Sequence, residues 1–194
     1  MSDQAPTHAS MHALPEGDVI RILLDQHDRI RELFAAVNAA TDQETMVVTF
    51  DELRALLAVH ETAEEMVLRP VSRRSAGAQV AEARNEEESE ANEVLAQLES
   101  MEVGSPEFSN RFAAFEKSVE KHAEAEEHQE FPAIVVATGE KDRQRMGSLL
   151  EAVEKMAPTH PHPGAAGSTA AQWTVGPFAS MADHARDAIA KMMA

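Results

Sequence analysis

A histidine followed at the fourth position by a glutamate, with a second glutamate directly after it, occurs twice in this chain. The copies are His60-Glu-Thr-Ala-Glu64-Glu65 and His122-Ala-Glu-Ala-Glu126-Glu127, sixty-two positions apart, and Pro70 and Pro132 stand at the same distance behind them. Residues four apart share one face of an α-helix, so each motif brings an imidazole and a carboxylate within reach of one cation. Each histidine also continues the apolar stripe of its own segment, after Leu53, Leu56 and Leu57 in one case and Phe112, Phe115 and Val119 in the other. The motifs therefore face a core. Ionised glutamates turned inward cost several kcal/mol each unless compensated. A metal ion between paired helices supplies that compensation, and this restricts the fold to one that can pair them.

The core available to such a fold is aliphatic. Apolar residues make up 43% of the 194 positions, aromatic residues only 4%, and tyrosine is absent. Leucine, valine, alanine and methionine with a few phenylalanines are the usual filling between helices. The net charge of −17 argues against nucleic acid and anionic membranes as partners. The lack of cysteine excludes disulfides, thiolate ligands and thiol redox chemistry. Neither a signal-peptide core nor an apolar run of about 18 residues is present, so the expectation is a cytoplasmic protein, monomeric or homodimeric.

Helical spacing organises the chain into segments. Residues 1–15 read as a disordered leader. A first helix carries Val19, Ile20, Leu23, Leu24, His27, Ile30, Leu33, Phe34 and Val37 and ends near Ala39. A second runs from Thr41-Asp42 through His60 and Glu64 to Pro70, which should kink or end it. A third begins near Ala78 and reaches Met101. Gly104-Ser105-Pro106 supplies a break, an N-cap and a proline at the first helical position for the fourth, which is interrupted at Pro132. The expected fold is all-α: an up-down-up-down four-helix bundle, with a shorter fifth helix over 139–157 completing a domain of residues 16–157. Residues 158–174 form a Pro/Gly/Ala linker, and residues 175–194 an amphipathic tail helix.

At mid-bundle, helix one offers His27, helix two His60 and Glu64, and helix four His122 and Glu126. A lone histidine at position 27 would ordinarily bond a backbone carbonyl. Opposite two His/Glu pairs it reads as a ligand, and three imidazoles with two carboxylates can hold a dinuclear cluster. Glu65 and Glu127 lie one position off that face and read as surface groups or as groups behind the ligands.

These residues resemble the hemerythrin-like proteins, also called the HHE cation-binding domain. The likeness rests on His27, on the two His-x-x-x-Glu-Glu motifs with their prolines, and on the Ala-Pro-Thr-x-Pro-His-Pro stretch at Ala157 to Pro163. It implies a four-helix bundle around two non-haem iron ions, oxo- or hydroxo-bridged, with Glu64 and Glu126 bridging and His27, His60 and His122 as further ligands. Manganese and zinc are the alternatives. The chain departs from the family in helix three, where one or two histidines are usual and none occurs between His60 and His122. Register with Leu95 and Leu98 puts Glu88 in that place, as a carboxylate ligand or else a solvent group paired with Arg84; Glu87 is its neighbouring substitute.

Imidazole and carboxylate suit iron, manganese or zinc, and carboxylate-rich pairs in helix bundles are typically iron or manganese. Three histidines and three glutamates make an anionic site, which favours Fe(III) and disfavours reversible oxygen release. The expected function is binding or decomposition of O2, peroxide or NO in oxidative or nitrosative stress, with catalase- or peroxidase-like turnover possible by resemblance. An oxygen or iron sensor, or a metal store, is the alternative, and a bundle that has lost its metal is a third. His128, His160, His162 and His184 read as surface histidines, and His8 and His12 as leader residues.

Overall fold

The helices begin where the sequence supplies side-chain caps. The structure is a computed structural model and describes residues 5–155. Asp18 caps α2 (Val19–Ala39) by accepting from the Ile20 N–H at 3.1 Å, and Asp42 caps α3 (Gln43–Ala63) through the Thr45 N–H at 2.8 Å. Ser105 caps α6 (Pro106–Ala125) through the Phe108 N–H, with Pro106 in the first turn. The remaining long helix of the bundle, α5 (Ala78–Glu99), starts after Gly77, whose φ of 102° suits a residue without Cβ. These four rods form an all-helical up-down-up-down bundle, and no strand occurs among the described residues.

The prolines act differently from the sequence expectation of an end or a kink. A π-helical turn, Glu64–Leu68, carries α3 on into α4 (Arg69–Ser75), and a second, Glu126–Glu130, carries α6 on into α7 (Phe131–Ala137). In each, the last N–H before proline reaches back five residues: Arg69 to the Glu64 carbonyl, Phe131 to the Glu126 carbonyl. Proline has no N–H and its ring crowds the carbonyl four residues back, and the wider turn relieves both problems without ending the helix. Both rods therefore bulge at the His/Glu motifs, and the register of everything after Glu64 and Glu126 is rotated.

Two apolar clusters lie at opposite ends of the bundle. One holds Val19, Ile20, Leu23, Leu24, Val67, Leu68, Phe131 and Ile134, and α8 (Glu140–Glu154) completes it with Met146, Leu150 and Val153. The other is built on Ile30, Leu33, Phe34, Phe50, Leu53, Leu57, Leu95 and Leu98, with Phe108, Phe112 and Phe115 packed ring against ring. His27 falls in the gap between these clusters along α2, so the polar site is a belt closed by oil at both ends.

The fifth helix is α8. Arg143 pins it, donating to buried Asp18 at 2.7 Å and to the Thr138 carbonyl at 2.7 Å. Gly147 faces the backbone of Gly17 so closely that an added Cβ would lie 2.1 Å from its carbonyl oxygen. The expected leader is not featureless: α1 (His8–His12) is capped by Thr7, and Met11 is buried in the first cluster, because one apolar side chain is enough to dock a single turn. The linker over 158–174 and the tail helix over 175–194 lie outside the described residues. Among those described, no helix is long and apolar enough to cross a membrane.

Candidate metal centre

All six residues singled out from the sequence converge between the two apolar clusters. His27, His60, Glu64, Glu88 and Glu126 are buried, and the His122 side chain is 15% exposed. Their donor atoms form two overlapping groups, each with all atoms within 4.8 Å of one another: His27, His60, Glu64 and Glu126, and Glu64, Glu88, His122 and Glu126. Glu64 and Glu126 belong to both. Glu126 faces His27 Nε2 with Oε2 at 3.4 Å and His122 Nε2 with Oε1 at 3.4 Å, while Glu64 Oε2 lies 3.5 Å from His60 Nε2.

The outward nitrogen of each histidine is already engaged. Nδ1 of His27 donates to Glu127 Oε1 at 2.8 Å, Nδ1 of His60 to Gln26 Oε1 at 2.7 Å, and Nδ1 of His122 to Glu87 Oε2 at 3.0 Å. Carboxylates and amide oxygens only accept, so a proton belongs on Nδ1, and Nε2 is the nitrogen turned into the cluster, able to coordinate once it carries no proton. Gln26 is itself oriented by donating to Glu154 of α8. Inside the cluster the polar atoms lack partners: His27 Nε2, His122 Nε2, both oxygens of Glu64 and Oε2 of Glu126 are buried without a hydrogen bond. Buried polar atoms left unpaired are costly, and five of them aimed at a common centre fit a cation. The donor set of imidazoles and carboxylates suits a borderline or hard metal.

Electrostatics point the same way. Burial, and then the neighbouring Glu126, raise the Glu64 carboxyl well above the usual range, whereas His122 and His27 hold Glu126 well below it despite its burial. Two acids sharing a site split in this manner when no cation neutralises them. Burial pushes Glu88 up to about 7 against the pull of Arg69. Burial and the neighbouring His27 depress His60 to about 3, leaving it neutral and able to coordinate.

Several participants were not foreseen. Arg69 is buried, and its guanidinium bonds Glu88, both oxygens of Glu130 at 2.7 and 2.9 Å, and Glu126 Oε1 at 3.3 Å. In a regular α-helix a residue five positions after Glu64 would sit about 140° away around the axis. The π turn brings it inward. A basic residue directly before Pro70, in a segment otherwise apolar from Met66 to Leu68, was the signal available. Glu130 stands four positions after Glu126, on the same helical face, and was not singled out from the sequence. Arg69 and Glu130 add one charge of each sign, so the acid excess counted from the sequence stands. Glu65 and Glu127, expected behind the ligand face or on the surface, are both buried, and Glu127 also accepts from Arg31 at 2.8 Å. Glu88 points inward and leaves Arg84 to Glu87. His128 is exposed, as expected.

The stretch that holds these residues matches known proteins. The hemerythrin HHE cation-binding domain pattern matches residues 18–134, which contain the two motifs, His27 and Glu88. The chain belongs to the hemerythrin HHE cation-binding family. An uncharacterized hemerythrin-like protein of Schizosaccharomyces pombe is 26% identical over 172 residues, 87% of this chain and 85% of that protein. A DNA nickase of Nostoc sp. is 30% identical over 117 residues, 60% of this chain but only 32% of the nickase. No solved structure matches the chain significantly. The family binds metal cations, and the His/Glu belt is the candidate metal site among the described residues.

The belt adjoins a space between α2, α3, α5 and α6. A cavity of about 90 Å³ is lined by the site residues His27, His60, Glu88 and His122 and by apolar Ile30, Phe34, Leu57 and Val119. It has room for a few waters or one small oxidant. Glu61 also lines it, and burial together with the nearby Glu88 raises its carboxyl well above the ordinary range.

Proposed function

We propose that this protein holds two iron ions in the belt and binds or decomposes O2, peroxide or NO there, in a role in oxidative or nitrosative stress. One observation carries the reading: two four-donor groups share Glu64 and Glu126, the arrangement that two carboxylate-bridged metal ions require. His27 and His60 would complete one position, and His122 and Glu88 the other. When bound, an iron pair of this kind supplies redox chemistry toward small oxidants.

The chain's own groups prepare that chemistry in three ways. Glu127, Gln26 and Glu87 hold the three imidazoles with Nε2 inward, which fixes tautomer and ring angle before metal arrives. Ile30, Phe34, Leu57 and Val119 line the cavity with apolar surface, favouring a diatomic or peroxide-sized ligand over bulk water. Glu61, whose carboxyl is pushed toward its protonated form by burial and by Glu88, stands at the cavity wall beside the space where a ligand would enter.

Elemental analysis and an absorption spectrum of protein purified under air test the proposal. Two irons per chain, near-ultraviolet ligand-to-iron bands and consumption of added peroxide are expected. Stoichiometric zinc with no iron, or iron-loaded protein that neither binds nor consumes O2, peroxide or NO, overturns it. The nickase relation offers a nucleic-acid reading, but it spans a third of that protein, and a net charge of −17 repels a phosphate backbone.

A further inference from the structure

The two motifs sit in equivalent π turns, so each residue of one turn has a counterpart sixty-two positions on. Three counterparts agree: Glu64 with Glu126, Glu65 with Glu127, Pro70 with Pro132. Four do not, and two of these differ beside the site: Leu68 corresponds to Glu130, and Arg69 to Phe131. The structure shows what each of the odd pair does. Phe131 lies along the His27 ring, with centroids 5.6 Å apart and planes 21° from parallel. Arg69 instead bonds Glu88, the helix-three residue that takes the place His27 holds in helix one. Behind Arg69 stands Glu130, which accepts from the same guanidinium with both oxygens.

These differences are complementary. A guanidinium against an imidazole would repel its protonated form and, against a neutral ring, take up the Nε2 lone pair that a cation would need. A phenyl ring against Glu88 would leave a buried carboxylate uncompensated. Arginine opposite glutamate, with a second glutamate to complete its donors, satisfies all three. We propose that Arg69 is a positioning residue for the second metal position: it aims Glu88 into the His122 half of the site and makes the two positions unequal. This rests on the dinuclear reading above. The inequality follows from where the guanidinium sits. It lies 3.3 Å from Glu126 Oε1, the oxygen turned to His122, and further off, at 3.9 Å, from Glu64 Oε2, the oxygen turned to His60. Its positive charge therefore opposes a cation more strongly in the His122 half, which also has one imidazole fewer.

The test is stepwise titration of metal-free protein with Co(II), followed by its visible spectrum, in wild type, Arg69→Phe, Glu88→His and the double variant. Wild type takes two equivalents in resolved steps. Arg69→Phe keeps the first step and loses at least about tenfold in the second, the scale of removing a group that orients a ligand. Glu88→His alone also weakens the second step, because the guanidinium then faces an imidazole. The double variant recovers the second step, with a spectrum shifted toward nitrogen coordination. That rescue is not expected of a residue that only supports the fold, and the retained first step reports that the variants are folded. If wild type takes two equivalents and Arg69→Phe matches it in both, or the double variant is no better than the singles, this inference falls and the dinuclear reading survives. If wild type never takes a second equivalent, both fall together.

Discussion

The half of the belt formed by His27 and His60 and the half formed by Glu88 and His122 use the same two bridging glutamates but different surroundings. The first is backed by a phenylalanine ring stacked on an imidazole, the second by an arginine bonded to three acids. The first is thus held by packing and tolerates the low-dielectric interior at little cost. The second depends on charges that must stay paired, because a buried ion pair that loses one partner leaves an uncompensated charge. A repeated motif can diverge this far when the contacting residues on three helices change together.

The largest effect expected is one that abolishes the distinction. Glu126→Ala removes a donor common to both groups, and metal content measured by plasma mass spectrometry should fall below one ion per chain. Retention of two would mean Glu126 is no bridge. Next, the backing groups can be compared by denaturant unfolding of the metal-free protein. Phe131→Ala should cost about 3–5 kcal/mol through cavity formation. Arg69→Leu should cost about 3–5 kcal/mol near pH 8, where Glu88 and Glu130 are left ionised and buried. Its cost should shrink at pH 5.5, since both acids can then take up protons. Equal costs at both values would show that charge pairing is not what holds the second half.

Orienting groups come third. Gln26→Leu should weaken the His60 half by roughly 10–100-fold, and Glu87→Gln the His122 half by less, since an amide oxygen still accepts from Nδ1. Co(II) titration reads both, and an unaffected first step in Gln26→Leu would refute the tautomer argument. The smallest effect is on pH. Without metal, Glu88 is held at about 7 and Glu64 is raised well above the carboxylate range, so at neutral pH the metal-free site keeps protons that coordination must expel. More protons are bound before metal than after it, hence affinity rises with pH. From pH 6 to 8 the Glu88 proton contributes about tenfold, in favour of the second position. Calorimetry in buffers of different ionisation enthalpy should show net proton release, and uptake would contradict it.

Much of this molecule is local, and local features are readable in a chain. Asp18, Asp42 and Ser105 announce helix starts because a short side chain reaches its own backbone, and His27, His60, Glu64, His122 and Glu126 fall on apolar stripes whose period says they face inward. Glu88 was found the same way, from the stripe it shares with Leu95 and Leu98. Periodicity fails where the period changes. The π turn shifts the register after Glu64, so a reading with 3.6 residues per turn kept Arg69 out of the site.

The amino-acid order by itself determined the helices, the repeat and the presence of an inward His/Glu set, since these depend on neighbours three to five positions apart. Only the tertiary structure decided which groups stand behind each ligand. Arg69 meets Glu130 and Glu88, His27 meets Glu127, and Gln26 links His60 to Glu154 across gaps of sixty-one, nineteen, one hundred, thirty-four and one hundred and twenty-eight residues. Such contacts follow from how the rods are rotated and stacked, and no spacing along the chain encodes that rotation.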